Sequence, residues 1–356
     1  MLAPPWVPVP PPSYGGTEAA VDRLARGLVA AGHEVLLFAT GDSTCPVPMV
    51  QGTLPAHRQI GDTTVELAHV IRGHDSLSTC DVVHDHTLAG PAIGRRRGAP
   101  PMVTTSHGPF TPEVSDVYRS FARRVPIIAI SHAQAVEASL QGIQVSRVIH
   151  HGLDAEEVTQ GKGGGGYLLC LGRMHPNKGV DVAARVARAA GWPLKIAAKM
   201  REPDEHRWFK DVVEPLLGGN IEYVGEPGRS DVLELLEHAD AVLNPIKWSE
   251  PFGLVMVEAL AAGTPVLAFP NGAAPEIIEH GVTGFLCPDE ATMVAHVAEL
   301  ETLDRDACRE AVLTRFSTVR VVEDHLALYQ RVIERAPGRA VVDEARARAP
   351  RPSEDR

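Results

Sequence analysis

The stretch of residues 249–266, SEPFGLVMVEALAAGTPV, decides the fold and the chemistry that we expect of this chain. Pro251 and Gly253 interrupt the chain before an apolar run with helical spacing, so the pattern predicts a loop that leads into a buried helix. Glu250 lies in that loop, and Glu258 lies about a turn and a half inside the helix. The stretch therefore places two carboxylates at different depths of one loop-and-helix unit.

The start of this predicted helix is a candidate binding site. The backbone N–H groups of Phe252, Gly253 and Leu254 lack helical partners there, so they are free to bind an anionic or hydroxyl-rich ligand. Glu250 and Glu258 suit two vicinal diols, because each carboxylate accepts two hydrogen bonds. A surface helix with one exposed glutamate has the same spacing, so spacing alone leaves both interpretations open.

Short apolar runs alternate with helical patterns on both sides of this stretch, which is typical of an α/β protein with parallel sheets. The predicted strands of the first half are residues 34–40, 81–86, 101–107 and 125–131. Those of the second half are residues 167–172, 193–199, 221–225, 240–245 and 264–269. Each half therefore resembles a Rossmann-like unit.

A glycine-rich segment at 154–166, DAEEVTQGKGGGG, separates the two halves and predicts a linker. The chain of 356 residues also exceeds the usual size of one core. We predict an N-terminal domain (residues 1–155), a C-terminal domain (156–316), a helix that packs back on the first domain (317–336) and a disordered tail (337–356).

The segment LGRMHPNKGVDVA, residues 171–183, places two cations at a strand-to-helix junction. Cations are mildly unfavourable at a helix start, so Arg173 and Lys178 make sense there if they neutralise an anion such as a diphosphate. Lys178 is followed by glycine, which excludes a Walker loop. A surface turn with two solvated cations is the simpler alternative.

Two glycines, Gly15 and Gly16, precede the first predicted helix, for which Thr17 is the predicted N-cap. The absence of side chains lets the backbone approach a phosphate closely. A Gly-Gly turn is weak evidence by itself. The chain has no GxGxxG motif, which argues against a dinucleotide-dependent dehydrogenase.

The segment DVVHDH, residues 81–86, suggests a metal site, because His84 and His86 share one face of a predicted strand and Asp85 lies opposite. Two ligands are too few for a metal without a third. We interpret the segment as a polar strand end that faces a cleft, and we predict no metal site.

Several of these segments, in this order and spacing, resemble glycosyltransferase family 4, retaining enzymes of the GT-B fold. The resemblance extends from about residue 12 to residue 335. It rests on YGGTE (14–18), GHEV (32–35), DVVHDH, TTSHG (104–108), HGLD (151–154), LGRMHPNKG, EPFGLVMVEALAAGTPV, GAAPEII and GVTGFL. It implies two Rossmann-like domains that face each other across a cleft.

The resemblance also implies the parts of a donor site. Arg173 and Lys178 match the pair that binds the donor diphosphate, and Gly15 and Gly16 match the loop that closes over the same phosphates. Glu258 matches the glutamate at the ribose. Two further residues complete the implied site beside the helix-start amides. Glu250 matches the glutamate at the transferred sugar, and His107 matches the histidine at the cleft, next to the sugar's hydroxymethyl group and the reacting centre.

The implied activity is transfer of a hexose-type sugar from a nucleoside-diphosphate sugar, with UDP favoured over GDP as carrier. The acceptor is a hydroxyl of a glycan, a lipid-linked molecule or a secondary metabolite. The family needs no metal cofactor, since protein cations hold the diphosphate. The rival interpretations are a nucleotide-sugar epimerase of the same fold and a nucleotide-sugar-binding protein without catalysis.

The net charge of −11 argues against a nucleic-acid-binding protein. No segment has the length and apolar content of a signal peptide or a membrane span, so we expect a cytoplasmic enzyme. Basic residues are nevertheless concentrated in the first half. A solvated face is one explanation, and contact with a membrane or an anionic acceptor is the other, through Arg95, Arg96, Arg97, Arg123 and Arg124.

Overall fold

The computed structural model describes residues 1–12, 15–52, 54–57, 59–94 and 98–336. The strands of the first half are β1 (Leu37–Ala39), β2 (Met49–Gln51), β3 (Val83–Asp85), β4 (Met102–Ser106), β5 (Ile127–Ala129) and β6 (Arg147–Val148). Its helices are α1 (Gly16–Ala30), α2 (Thr63–Ser76), α3 (Gly90–Ile93), α4 (Pro112–Phe121) and α5 (His132–Leu140). The predicted tail, residues 337–356, lies outside the described residues.

The strands of the second half are β7 (Leu168–Arg173), β8 (Leu194–Lys199), β9 (Ile221–Gly225), β10 (Ala241–Asn244), β11 (Val266–Ala268) and β12 (Gly284–Leu286). Its first helices are α6 (Val180–Ala190), α7 (Pro203–Trp208), α8 (Arg229–His238), α9 (Leu254–Ala261) and α10 (Ala274–Ile277). The chain continues with α11 (Glu290–Val297), α12 (Arg305–Arg315) and α13 (Thr318–Glu334). The strand-helix alternation predicted for both halves is confirmed.

The second half, as far as it is described, forms a six-stranded parallel sheet in the order β12-β11-β10-β7-β8-β9. One apolar cluster covers each face of this sheet, as the near-continuous hydrophobic runs of its central strands require. The carboxyl ends of β7 and β10 are neighbours and lead into the loops that carry Lys178 and Glu250. Ligands of open parallel sheets bind at such ends.

In the first half, the described strands form a four-stranded parallel sheet, β3-β4-β5-β6, and a parallel pair, β1-β2. Leu2 connects the two, because it forms parallel bridges with both Phe38 of β1 and Asp85 of β3. Leu2 is fully buried, so this short N-terminal segment lies at the centre of the combined sheet. The polar strand ends at His86 and His107 are neighbours, because β3 and β4 pair in register.

The last helix, α13, crosses to the first half of the chain and packs against α1. A side chain at Gly27 of α1 would lie 2.6 Å from Val322, so the contact requires glycine. Helix α1 itself begins at Gly16 with Gly15 as its N-cap, so the predicted N-cap at Thr17 is wrong. None of the helices in the described ranges has the length and apolar content needed to cross a bilayer.

Candidate active site

The loop after β7 holds Lys178 against the end of β10. Gly179 has a φ of 68°, and a Cβ there would lie 2.0 Å from the carbonyl oxygen of Pro245. Only glycine fits this close approach and this backbone angle. The sequence therefore places glycine after Lys178 for a steric reason, and the lysine side chain is aimed across the strand ends.

Lys178 forms an ion pair with Glu250, with 2.6 Å between Nζ and Oε2. The two side chains keep 12% and 14% of their surface exposed, so the pair is largely desolvated. The Lys178 ammonium also lies 5.7 Å from the centre of the Trp248 ring. The structure thus brings together the predicted phosphate-binding lysine and the predicted sugar-binding glutamate.

The loop of Glu250 is fixed by a second close approach. A Cβ at Gly272, where φ is 57°, would lie 2.2 Å from the Glu250 carbonyl oxygen, and Ala273 donates a backbone hydrogen bond to that oxygen. Helix α9 then begins after Gly253, whose φ is 93°. The amides of residues 252–254 donate to no acceptor among the described residues, so they are available to a ligand.

Glu258, inside α9, lies between two arginines from different domains. Arg229 at the start of α8 donates to its Oε1 over 2.5 Å, and Arg23 of α1 lies 3.6 Å from the same oxygen. Arg23 is buried, with 8% of its surface exposed, and its Nη1 has no partner within the described ranges. The predicted ribose-binding glutamate is therefore a point of contact between the two domains.

The remaining predicted phosphate-binding residues lie nearby. Arg173 at the end of β7 is 3.4 Å from the buried carboxylate of Glu205. A Cβ at Gly16 would lie 3.6 Å from Leu254, so the Gly-Gly loop of the first domain faces the start of α9. These groups meet the strand ends of both domains at one boundary, which we call the cleft.

The N-terminal side of the cleft holds a cluster of imidazoles. His107 follows β4, and its Nε2 lies 2.9 Å from Nδ1 of His86. The ring of His84 lies 3.9 Å from that of His86, and its two nitrogens bond Tyr329 and Thr105 over 2.6 and 2.7 Å. The predicted polar strand end is thus an ordered hydrogen-bonded group.

Two more histidines complete this imidazole cluster, which consists of His84, His86, His107, His151 and His325. The ring of His151 is stacked on that of His107 with 5.2 Å between centres, and it also contacts Phe252 of the second domain. His325 reaches the cluster from α13. The cluster therefore adjoins the loop that carries the predicted sugar-binding residues.

Burial keeps these imidazoles neutral. It lowers the pKa of His107 to about 3 and that of His325 to about 4. For His84, His86 and His151, burial and then the neighbouring histidines hold the pKa well below its usual range. His107 keeps part of its surface accessible, but protein atoms surround the ring closely enough for desolvation to dominate its pKa.

A small cavity opens between this cluster, α1 and α13. Four buried polar atoms of its lining have no partner in the described part of the chain: His86 Nε2, His107 Nδ1, Arg23 Nη1 and Thr318 Oγ1. Buried polar groups without partners are costly, so a polar ligand or water is expected here. The cavity is thus a candidate polar binding site on the N-terminal side of the cleft.

One group of residues has the spacing of a metal site. Potential ligand atoms of His132, His150 and Glu276 lie within 4.8 Å of one another. The Glu276 carboxylate already accepts hydrogen bonds from His150 Nε2 and from the backbone amides of His132 and Ala133. These bonds fully account for its position as a cap of α5, supplied by the other domain.

Sequence reasoning placed His86 at a polar strand end facing a cleft but did not predict its bond with His107, and it missed the roles of His151, His325 and Arg23. The chain holds 16 histidines; the predicted strand end 81–86 was the available signal for His86, and the segment HGLD was that for His151. Nothing in the sequence marks Arg23 or His325 as cleft residues, because each lies on an ordinary amphipathic helix. Their position depends on packing between α1 and α13.

The predicted basic surface is only partly described. Arg123 and Arg124 are exposed after α4. The other three arginines of the predicted patch, Arg95, Arg96 and Arg97, lie outside the described residues. The patch contributes no residue to the described cleft, and its role stays a prediction.

Comparison with known proteins relates this chain to glycosyltransferases. The family profile described as Glycosyl transferases group 1 matches residues 155–312, and that described as Glycosyltransferase Family 4 matches residues 14–157. The D-inositol 3-phosphate glycosyltransferase of Mycolicibacterium smegmatis is 28% identical over 401 residues, covering 95% of this chain and 89% of that protein.

Solved structures show the same fold. AviGT4, a glycosyltransferase involved in avilamycin A biosynthesis, is 26% identical and superposes with a TM-score of 0.67 over 94% of this chain and 98% of that chain. Sucrose-phosphate synthase from Thermosynechococcus elongatus is 18% identical, with a TM-score of 0.78 and the same coverage of both chains. The predicted fold of two parallel-sheet domains is confirmed.

Proposed function

Because this chain belongs to the GT-B glycosyltransferases of the family 4 type, we propose that it is a retaining enzyme that transfers a hexose-type sugar from a nucleoside-diphosphate sugar. UDP is the first carrier to test and GDP the second. The acceptor is a hydroxyl that enters beside the imidazole cluster. The observation that carries this proposal is the Lys178–Glu250 ion pair beside the free amides of the α9 start.

The ion pair suggests how the donor binds. A diphosphate attracts Lys178 and Arg173, and the sugar hydroxyls offer Glu250 new hydrogen bonds, so the donor replaces one set of polar contacts by another. Lys178 and Glu250 are already largely desolvated in the folded protein, so donor binding does not add that desolvation cost. The ribose hydroxyls then compete with the two arginines for Glu258.

The proposed chemistry is front-face attack. The acceptor oxygen approaches the same face of the sugar from which the diphosphate leaves, and the leaving phosphate takes the acceptor proton. Lys178, Arg173 and the helix-start amides stabilise the charge that develops on the leaving group. Glu250 orients the sugar and stabilises the positive charge that develops at its reacting carbon, while His107 holds the acceptor hydroxyl as a neutral group.

We propose that no metal ion is needed, because this chain supplies its own cations at the phosphates. The two cations and the α9 amides perform the charge stabilisation that a divalent ion otherwise provides. The residues offered by the described chain for phosphate binding are nitrogen donors, whereas a magnesium or manganese ion requires oxygen ligands.

Proton NMR of the sugar's anomeric signals tests the function. The enzyme is incubated with UDP-glucose and then with GDP-glucose, each alone and with a panel of hydroxyl acceptors. We expect a new glycoside with the donor's α configuration when an acceptor is present. Conversion to another sugar epimer without acceptor identifies an epimerase, and donor binding without any turnover identifies a binding protein. A β-configured product contradicts the retaining mechanism.

A further inference from the structure

A hydrogen bond joins two imidazoles that reach the cavity from neighbouring strands. His86 follows β3 and His107 follows β4, and the two strands pair in parallel, so both side chains leave the same edge of the sheet. Nδ1 of His86 lies 2.9 Å from Nε2 of His107. Both residues line the cavity, and the other ring nitrogen of each has no partner in the described chain.

The tautomers of these two rings are coupled. A neutral imidazole carries one N–H and one bare nitrogen, and one proton lies between the two facing nitrogens. If His86 donates from Nδ1, its Nε2 is bare and His107 carries its proton on Nδ1. If His107 donates from Nε2, the outer nitrogens exchange these roles. In both cases one outer nitrogen donates a hydrogen bond and the other accepts one.

We propose that His86 is a positioning residue of the transfer reaction: its hydrogen bond orients the ring of His107 and sets its tautomer. This inference rests on the proposed function, in which His107 contacts the acceptor.

The outer nitrogens of the two rings point away from each other, because the inner nitrogens are used in the hydrogen bond and the ring centres lie 5.2 Å apart along it. Each outer nitrogen is therefore available to a different polar group. A change of tautomer at His86 changes whether His107 donates or accepts a hydrogen bond at its own outer nitrogen.

His84 has a different task in the same cluster. Its two nitrogens are both occupied, by Tyr329 and Thr105, so no polar atom of the ring remains for a ligand. Its ring packs against that of His86, with 3.9 Å between the ring centres. The contact between Tyr329 and His84 thus offers a structural control that leaves the bond between His86 and His107 intact.

The test compares three substitutions of His86. An asparagine amide reaches the position of a histidine Nδ1, whereas the longer glutamine amide reaches that of Nε2. His86→Asn therefore keeps a partner for His107, and His86→Gln and His86→Leu remove it. The control variant is Tyr329→Phe. The readouts are ¹⁵N NMR of ring-labelled histidine at pH 7, calorimetry with UDP, and turnover of UDP-glucose, with His107→Gln used to assign the His107 signals.

We expect a single neutral tautomer of His107 in the wild type, in His86→Asn and in Tyr329→Phe, and a mixture of tautomers in His86→Gln and His86→Leu. Turnover should fall about tenfold to a hundredfold in the last two, since small misplacements near a reacting group are costly. UDP affinity should stay within about twofold in all of them, because His86 lies away from the phosphate-binding cations.

The inference is overturned if the His107 signals are the same in every variant, or if wild-type His107 is an imidazolium at pH 7. Should His86→Leu fail to fold, the contrast between the asparagine and glutamine variants decides the matter. If the tautomers change as expected but the wild type turns over no nucleotide sugar, the proposed function fails and the coupling of the rings stands. If turnover is found but the tautomers do not respond, only the role of His86 fails.

Discussion

The two sides of the cleft present opposite kinds of polar group. The C-terminal domain presents charges that are already paired, Lys178 with Glu250 and Arg229 with Glu258. The N-terminal domain presents buried imidazoles that stay neutral and bond one another. Paired charges suit a charged donor, because its binding exchanges one ion pair for another. Neutral rings suit an acceptor hydroxyl, because no charge has to be desolvated when it enters.

The largest expected effect lies on the N-terminal side. His107→Ala should lower turnover of the nucleotide sugar by about a hundredfold to a thousandfold, the usual loss for a group that acts at the reacting centre. Affinity for UDP, measured by calorimetry, should stay within about twofold, since the proposed site for the donor's phosphates lies on the other domain. His69→Ala, at a histidine of the same domain that bonds the Ala3 carbonyl outside the cluster, is the control and should keep its turnover.

If His107→Ala bound UDP more weakly than the wild type, the proposed contrast between the two sides of the cleft would be wrong, because the imidazole cluster would then belong to the donor site. Equal losses of turnover in both histidine variants would mean that the domain, and not the His107 ring, had been damaged.

On the C-terminal side, Lys178→Ala should weaken UDP binding by about 1.5 to 3 kcal/mol, the range for a hydrogen bond to a charged group. Lys247→Ala is the matched control, because Lys247 lies in the neighbouring loop and pairs with Asp181 instead. Calorimetry should show a change below about 0.5 kcal/mol for that variant. Equal losses in both variants would reduce the role of Lys178 to general attraction of an anion.

Acid should weaken the N-terminal side. The five histidines of the imidazole cluster bind protons in the unfolded chain below about pH 6.5, whereas their folded pKa values are lower. The unfolded state then holds more protons, so the free energy of unfolding should be level above about pH 6.5 and fall below it. Each histidine contributes up to about 1.4 kcal/mol per pH unit until its folded pKa is reached.

Urea unfolding between pH 8 and pH 5 measures this dependence. Trp6 reports on the N-terminal domain, and Trp6→Phe leaves Trp192, Trp208 and Trp248 as reporters of the other domain. We expect the Trp6 signal to lose stability first as the pH falls. A stability that is unchanged down to pH 5 would show that these rings take up protons in the folded protein at the same pH as in the unfolded chain. Arg23, which faces the cluster from α1, adds a fixed charge that favours the neutral rings.

The smallest expected effect is that of chelation. Turnover in excess EDTA should equal turnover without it if, as proposed, Lys178, Arg173 and the α9 amides stabilise the leaving diphosphate. Addition of magnesium or manganese should then change the rate little. Loss of turnover in EDTA that magnesium or manganese restores would contradict this account of the donor side.

The C-terminal side of the cleft could be predicted from the sequence more fully than the N-terminal side. Lys178, Glu250 and Glu258 lie in two contiguous segments whose strand, turn and helix signals are local. The apolar runs of the second half correspond closely to observed strands, as at Ile221–Gly225. Here the two positions where another backbone segment approaches too closely for a side chain are visible in the sequence as glycines, Gly179 and Gly272.

The imidazole cluster as a whole leaves no such trace, although its members His84, His86 and His107 lie in segments that the sequence marks. His86 and His325 lie far apart in the chain, and they meet because α13 packs on α1 and beside β4. The hydrogen bond between His86 and His107 depends on the register of β3 and β4, which alternating patterns do not determine. The prediction of Thr17 as N-cap failed for a local reason, because Gly15, two residues earlier, can also cap a helix.

The central claim is the orientation of the donor, with Glu258 at the ribose and Glu250 at the transferred sugar. Calorimetry with UDP and steady-state kinetics with the nucleotide sugar, on Glu258→Gln and Glu250→Gln, test it most directly. We expect Glu258→Gln to weaken UDP and the whole donor by similar factors. Glu250→Gln should keep UDP affinity, since it also releases Lys178, and should lower turnover because its contacts matter as charge develops. Loss of UDP binding in Glu250→Gln, or unchanged UDP binding in Glu258→Gln, would contradict the orientation.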